Sequence, residues 1–231
     1  KKVKYISCHH EQAAAFAAES YARYKRSMSA VVVTTGPGGT NTITGVASAW
    51  IDSVPILFVS GQVFLNQTIK KTGLRQLGVQ EIDIVSLVKP ITKYSIMLKD
   101  PNMIKYHLDK ASYESITGRP GPVWIDIPAN IQSAFINPLK LKSFIPSKKY
   151  SSNKLLDKKI KNIAKKIFQS KKPLLHFGQG ARISKSENLI KRFIEKYKMP
   201  FSLTWNATDL VYPIPESERK KNPNLTQNEG Y

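Results

Sequence analysis

Residues 11–51 constrain the fold more than any other stretch. Ala13 to Ala18, with Tyr21 and Ala22, form an Ala-rich segment of high helix propensity with Glu11 at its head. Ala30 to Thr35 is a β-branched run of the length of a buried parallel strand. Gly36-Pro37-Gly38-Gly39 breaks it, and Thr40 or Asn41 is placed to cap the next helix, Ile43 to Ile51. A strand, a glycine loop and a helix in succession form the usual ligand address of an open α/β sheet.

The pattern continues. Pro55 to Gly61, Thr92 to Leu98 and Gly121 to Pro128 read as strands, Ile82 to Val88 as a short helix, and Asp100-Pro101 as the start of a helix running to about Ile116. Strands alternating with helices predict a doubly wound parallel sheet over residues 1–132. Val31-Val32-Val33, Ile56-Leu57-Phe58 and Val123-Trp124-Ile125 are expected as its central strands. Residues 133–152, with two prolines and a serine cluster, read as a linker. From 153 a second, partial Rossmann-like α/β unit is expected. Leu156, Ile160, Ile163 and Ile167 share one helical face, Pro173 to Phe177 is a strand ended by Gly178-Gln179-Gly180, and another helix and strand follow. The tail from Val211 reads as a loop.

Composition narrows the classes. The net charge is +20, of which residues 1–132 carry +6 and residues 133–231 carry +14. No run interleaves basic with aromatic residues, so the lysines read as a solvated surface and no nucleic-acid partner is expected. No apolar run reaches the ~18 residues of a membrane span, and KKVKYISCHH has no signal-peptide core. No membrane partner is expected. The single cysteine, Cys8, suits a reducing, cytoplasmic location and reads as a buried structural thiol.

Taken alone, Glu11 is either a helix-terminal charge matched to the macrodipole or a carboxyl group poised for proton chemistry. His9 and His10 lack the spaced partners of a metal site and read as local hydrogen-bonding residues.

HEQAAAFAAESYAR, TTGPGGTN, AWIDSVPILFVSGQV, VQEIDIV, TKYS and TGRPGPVWIDIP stand in that order through residues 10–128. Together they resemble the thiamine-diphosphate enzymes, with the acetolactate synthase catalytic subunit the nearest likeness. The resemblance implies the pyrimidine-binding domain over residues 1–132 and the start of a central domain from 153. It implies that Glu11 is the catalytic glutamate, bonded to the cofactor's aminopyrimidine in a poorly hydrated pocket where its pKa rises. Gly36, Pro37, Gly38 and Asn41 would line the cofactor pocket at a homodimer or homotetramer interface, and Gln80 would face the active site. Lys93 would point toward the substrate channel. Val79 and Tyr94 stand where the family carries an aromatic residue and a histidine. Arg119, with the Gly178–Gly180 loop, would contact FAD, although Ile183 occupies the last glycine position of a full fingerprint. Mg²⁺ and the diphosphate are held in the family by a GDG motif that this chain lacks. The Mg²⁺ ligands are therefore expected outside the chain, which reads as an internal fragment, inactive alone, with no metal ligand assigned.

Three activities follow as alternatives. The first is carboligation of 2-oxo acids, pyruvate to acetolactate. The second is transfer of an acetyl unit to a nucleotide sugar by a related thiamine enzyme. The third is a non-catalytic basic binding module.

Overall fold

The structure, a computed structural model, describes residues 3–69, 72–147, 154–208 and 210–211. The chain divides into two compact units, Lys1–Lys148 and Lys149–Tyr231.

The first unit begins with α1 (Glu11–Lys25), β1 (Ser29–Val33), the short α2 (Pro37–Thr40), α3 (Ile43–Ile51) and β2 (Ile56–Gln62). It continues with α4 (Ile84–Val88), β3 (Tyr94–Met97), α5 (Ile104–Ile116), β4 (Val123–Pro128) and α6 (Ala129–Gln132). The four strands form one parallel sheet in the order β1-β2-β4-β3. Successive side chains face opposite sides, so the sheet builds two cores. On one side Val31, Ile56, Phe58 and Trp124 pack with Ala15, Ala18 and Ala22 of α1, Val46 and Ala49 of α3, and Ile84 and Val88 of α4. On the other, Leu57, Val123 and Ile125 pack with Ala111 and Leu108 of α5. Helices on both faces of a parallel sheet make this the doubly wound α/β fold that the alternating pattern predicts.

Two of the three apolar runs lie in interior strands, but β1 does not. Among the described residues β2 is its one strand neighbour, and Val32 is 77% exposed. The expectation of a central β1 is thus corrected. Its inner face is covered by α1, while Ala30 and Val32 on the other face lie beyond the reach of α5, which packs over β2, β3 and β4. Residues 3–8 form no strand, and Cys8 among them is exposed rather than buried.

Helices α1 and α3 meet at Ala15 and Gly45. A Cβ on Gly45 would stand 2.5 Å from that of Ala15, which is fully buried. Gly45→Ala is therefore expected to destabilise the protein by about 1–3 kcal/mol through overpacking, despite the roughly 1 kcal/mol gained in helix propensity. Urea denaturation measures it, and an unchanged midpoint would refute the tight crossing.

Within 133–147, Phe144 packs against Tyr106 and Tyr113 of α5, with ring centroids 5.6 Å apart in each case. This part of the expected linker is folded onto the first unit.

The second unit contains α7 (Lys154–Gln169), β5 (Leu175–Phe177), α8 (Gln179–Ile183), α9 (Glu187–Tyr197) and β6 (Phe201–Leu203), with β5 and β6 parallel. Ala207, Leu210 and Val211 are buried against Phe177, Ile190, Ile194 and Phe201, so the first residue of the expected tail loop belongs to a core. Residues 212–231 lie outside the described residues.

Candidate functional site

In a parallel sheet all strand carboxyl ends share one rim, and each following loop opens there. Helix α1 precedes β1 and runs against it, so its amino terminus reaches the same rim. His10 caps the helix, its Nδ1 accepting from Gln12 N–H at 3.1 Å. Glu11 is the first helical residue.

The Glu11 carboxylate meets the loop that leaves β1. Oε2 accepts from Asn41 Nδ2 at 3.0 Å, and Oε1 lies 3.5 Å from where a Cβ on Gly38 would stand. That Cβ would also come within 2.6 Å of Thr34 Cγ2, so only glycine lets the loop approach Glu11 this closely. Asn41 was expected as a possible cap for the next helix. Thr42 stands at that position without a side-chain cap bond, its hydroxyl donating to the Gly39 carbonyl, and the Asn41 amide donates to Glu11. The Asn41 amide, then the residue's own backbone N–H, hold the Glu11 carboxyl below the usual range, outweighing burial. The expected upward shift is therefore absent in this chain, because the carboxylate stands on an open rim with donors beside it.

Gly36 has φ +60, and a Cβ there would collide with the carbonyl oxygen of Gln80. Gln80 itself has φ +58 and is exposed. Glu11, Gly36, Pro37, Gly38, Asn41 and Gln80 thus belong to one rim. Val79 beside them is 83% exposed. Glu81 is buried and accepts from the N–H groups of Ile69 and Leu77.

Lys93 and Arg119 are not brought there. Each precedes its strand, which puts it at the opposite, amino-terminal rim. Lys93 Nζ donates to the carbonyls of Thr117, at 2.5 Å, and Glu114, closing the end of α5, and burial lowers its pKa. Arg119 donates through Nε to Ser53 Oγ at 2.7 Å and through a terminal nitrogen to the Ile51 carbonyl. In the second unit Gly178 follows β5, beside Thr204 at the end of β6, and Gly180 lies in α8 with open space around it.

A buried polar cluster beneath the first rim was not foreseen. Trp124 Nε1 donates to Ser60 Oγ at 2.9 Å, and Ser60 donates to Asp126 Oδ1 at 2.5 Å. Gln62 Nε2 donates to Asp126 Oδ2 and to the Ile82 carbonyl, both at 3.0 Å. Gln62 Oε1 accepts from Thr35 Oγ1 at 2.9 Å and from Val63 N–H at 3.0 Å. Burial raises Asp126 to about 6, against the opposing pull of Ser60 and Gln62. The available signal was polar residues inside apolar strands, SGQ in β2 and WID in β4, in register side by side.

Among the described residues no group of three or more His, Cys, Asp or Glu side chains is placed to hold a metal ion. No described helix is long and apolar enough to cross a membrane.

Residues 1–87 match the family described as "Thiamine pyrophosphate enzyme, N-terminal TPP binding domain". The chain is 35% identical over 198 residues to the acetolactate synthase large subunit of Lactococcus lactis subsp. lactis, covering 86% of this chain and 33% of that protein. It is 38% identical over 208 residues to the large subunit of Pyropia yezoensis (87% and 34%) and 34% identical over 200 residues to that of Haemophilus influenzae (86% and 34%). The chain thus spans about a third of the length of the curated relatives it matches. Residues 1–87 are thus similar to the N-terminal TPP-binding domain of thiamine pyrophosphate enzymes, and most of the chain is similar in sequence to part of the acetolactate synthase large subunits.

Proposed function

We propose that the rim formed by Glu11, the 36–41 loop and Gln80 is the pyrimidine side of a thiamine diphosphate site, and that the whole protein joins 2-oxo acids in the manner of an acetolactate synthase. The observation that carries this reading is the Glu11 carboxylate, held by Asn41 against the glycine loop at the carboxyl end of a parallel sheet. Glycine at 38 lets the loop backbone come close to the carboxylate, which a side chain there would prevent.

When bound, thiamine diphosphate supplies a carbon nucleophile at C2 of its thiazolium and a base in its own aminopyrimidine. The chain's part is to govern where that pyrimidine holds its protons. Glu11 is the residue that would hold the pyrimidine ring nitrogen and would favour the tautomer able to accept the C2 proton. A planar ring and a second subunit closing over the rim would exclude water from Glu11 and raise its pKa from the depressed value of the open chain. Asn41 keeps the carboxylate aimed. Gln80, exposed on the facing turn, is placed to meet substrate.

The reading extends to a homodimer or homotetramer with the site at the subunit interface, to Mg²⁺ held by residues outside this chain, and to a cytoplasmic location. FAD is a weaker fit. Arg119 is engaged by Ser53 and Ile51, and among the described residues nothing stands within 4 Å of where a Cβ on Gly180 would be.

The test uses the full-length protein that carries this chain, with thiamine diphosphate and Mg²⁺. Release of CO₂ from pyruvate with formation of acetolactate is the expected result. An acetylated nucleotide sugar as product would assign the other acceptor. If no 2-oxo acid is decarboxylated and DNA binding falls steeply with salt, the reading gives way to a basic binding module.

A further inference from the structure

We infer that Gln62 is a positioning residue that clamps the two walls of the proposed cofactor cleft at a set separation. The inference rests on reading the rim as the cofactor site. One wall is the 36–41 loop and the other is the 78–82 turn. Among the described residues no hydrogen bond joins the two walls directly, although the carbonyl of Gln80 lies against Gly36. Gln62 reaches both. Its Oε1 accepts from Thr35, the residue immediately before Gly36, and its Nε2 donates to the carbonyl of Ile82, two residues after Gln80.

The side chain has no freedom to do otherwise. It is 4% exposed, and its two donors and two lone pairs are all engaged. The sense of each bond is also determined. Trp124 can only donate, so Ser60 accepts from it and sends its own hydrogen to Asp126. The Asp126 carboxylate then requires a donor from Gln62, which directs Nε2 toward Asp126 and Ile82 and leaves Oε1 for Thr35 and Val63. The amide of Gln62 is thereby oriented from the core outward. A network with every member satisfied is rigid, and a shift at one member is felt at the next. The separation of the Glu11 side from the Gln80 side is thus set by a residue that would touch neither cofactor nor substrate.

Two variants of the full-length protein test this. Thr35→Val is nearly isosteric and cuts only the bond to the glycine loop. Gln62→Met cuts both walls free. In amide deuterium exchange without cofactor, Thr35→Val is expected to speed exchange about 10-fold in residues 36–41 and leave 78–82 unchanged, as loss of one local hydrogen bond predicts. Gln62→Met is expected to speed both segments. With thiamine diphosphate bound, Thr35→Val should slow C2 proton exchange per bound cofactor by roughly 10- to 100-fold while its dissociation constant moves far less, the signature of misplacement. Unaltered exchange at 36–41 in Thr35→Val, or an equal rise in both segments, would overturn the clamp. If Gln62→Met does not fold, Thr35→Val decides alone. Absence of C2 exchange in the unaltered protein would sink the cofactor reading instead, and the deuterium pattern would still judge the clamp.

Discussion

Glu11→Gln is expected to slow exchange of the C2 proton of bound thiamine diphosphate by a factor on the order of 10²–10⁴, the range for loss of one acid–base group. The substitution keeps size and one hydrogen bond to Asn41 but removes the ionisable proton that would bias the pyrimidine. Cofactor affinity should fall much less, because in the proposed enzyme the diphosphate and its metal are held elsewhere. Deuterium exchange at C2 in the full-length protein, quenched and followed by NMR, measures the effect. Were Glu11 only a charge matched to the amino end of α1, exchange would proceed at the wild-type rate in the variant, and that result would remove the central residue of the functional reading.

The second large effect belongs to Asp126, which is fully buried. Burial lifts its pKa from an unfolded value of 3.8 to about 6. Between those values the native state holds a proton that the unfolded chain has lost, so this group's contribution to stability falls as pH rises from about 4 to above 6. The difference amounts to about 3 kcal/mol. Glu11 and Asp109 are shifted downward and work in the opposite sense at lower pH. The Asp126 part is isolated by comparison with Asp126→Asn. Asparagine brings an amide to a site whose neighbours Ser60 and Gln62 both donate, which adds a pH-independent cost of about 1–3 kcal/mol. Urea denaturation of both proteins from pH 4.5 to 7.5 is expected to show the wild-type advantage shrinking by most of those 3 kcal/mol as pH rises. Parallel curves would show that Asp126 titrates near its ordinary value.

Much of the fold was legible because its signals are local. Apolar runs of strand length, Gly36 as punctuation and Asp100 as a cap each depend on a few neighbouring residues. Glu11 and the glycine loop were legible as a pair because the strand they flank places both on one rim. What escaped depends on neighbours distant in sequence. The run at Val31 to Val33 is as apolar as those at Ile56 and Val123, and nothing in it tells that one side of the strand has no partner. Lys93 and Arg119 sit in family-like motifs, yet strand polarity carries both to the far rim. The Gln62–Asp126 network joins residues 64 apart, and its members look in sequence like stray polar residues in apolar strands.

The free edge of β1 also bears on how the protein behaves in bulk. Among the described residues, Ser29–Val33 has a strand on one side only and carries β-branched side chains with no proline or charge, and such an edge can accept a further strand. The net charge of +20 opposes unspecific pairing of this edge by long-range repulsion. The two forces respond differently to salt. At 0.1 M ionic strength the screening length is about 10 Å and at 1 M about 3 Å, while strand pairing acts at contact and is scarcely screened. Pairing at this edge is therefore expected to grow with ionic strength even where the fold itself is untouched.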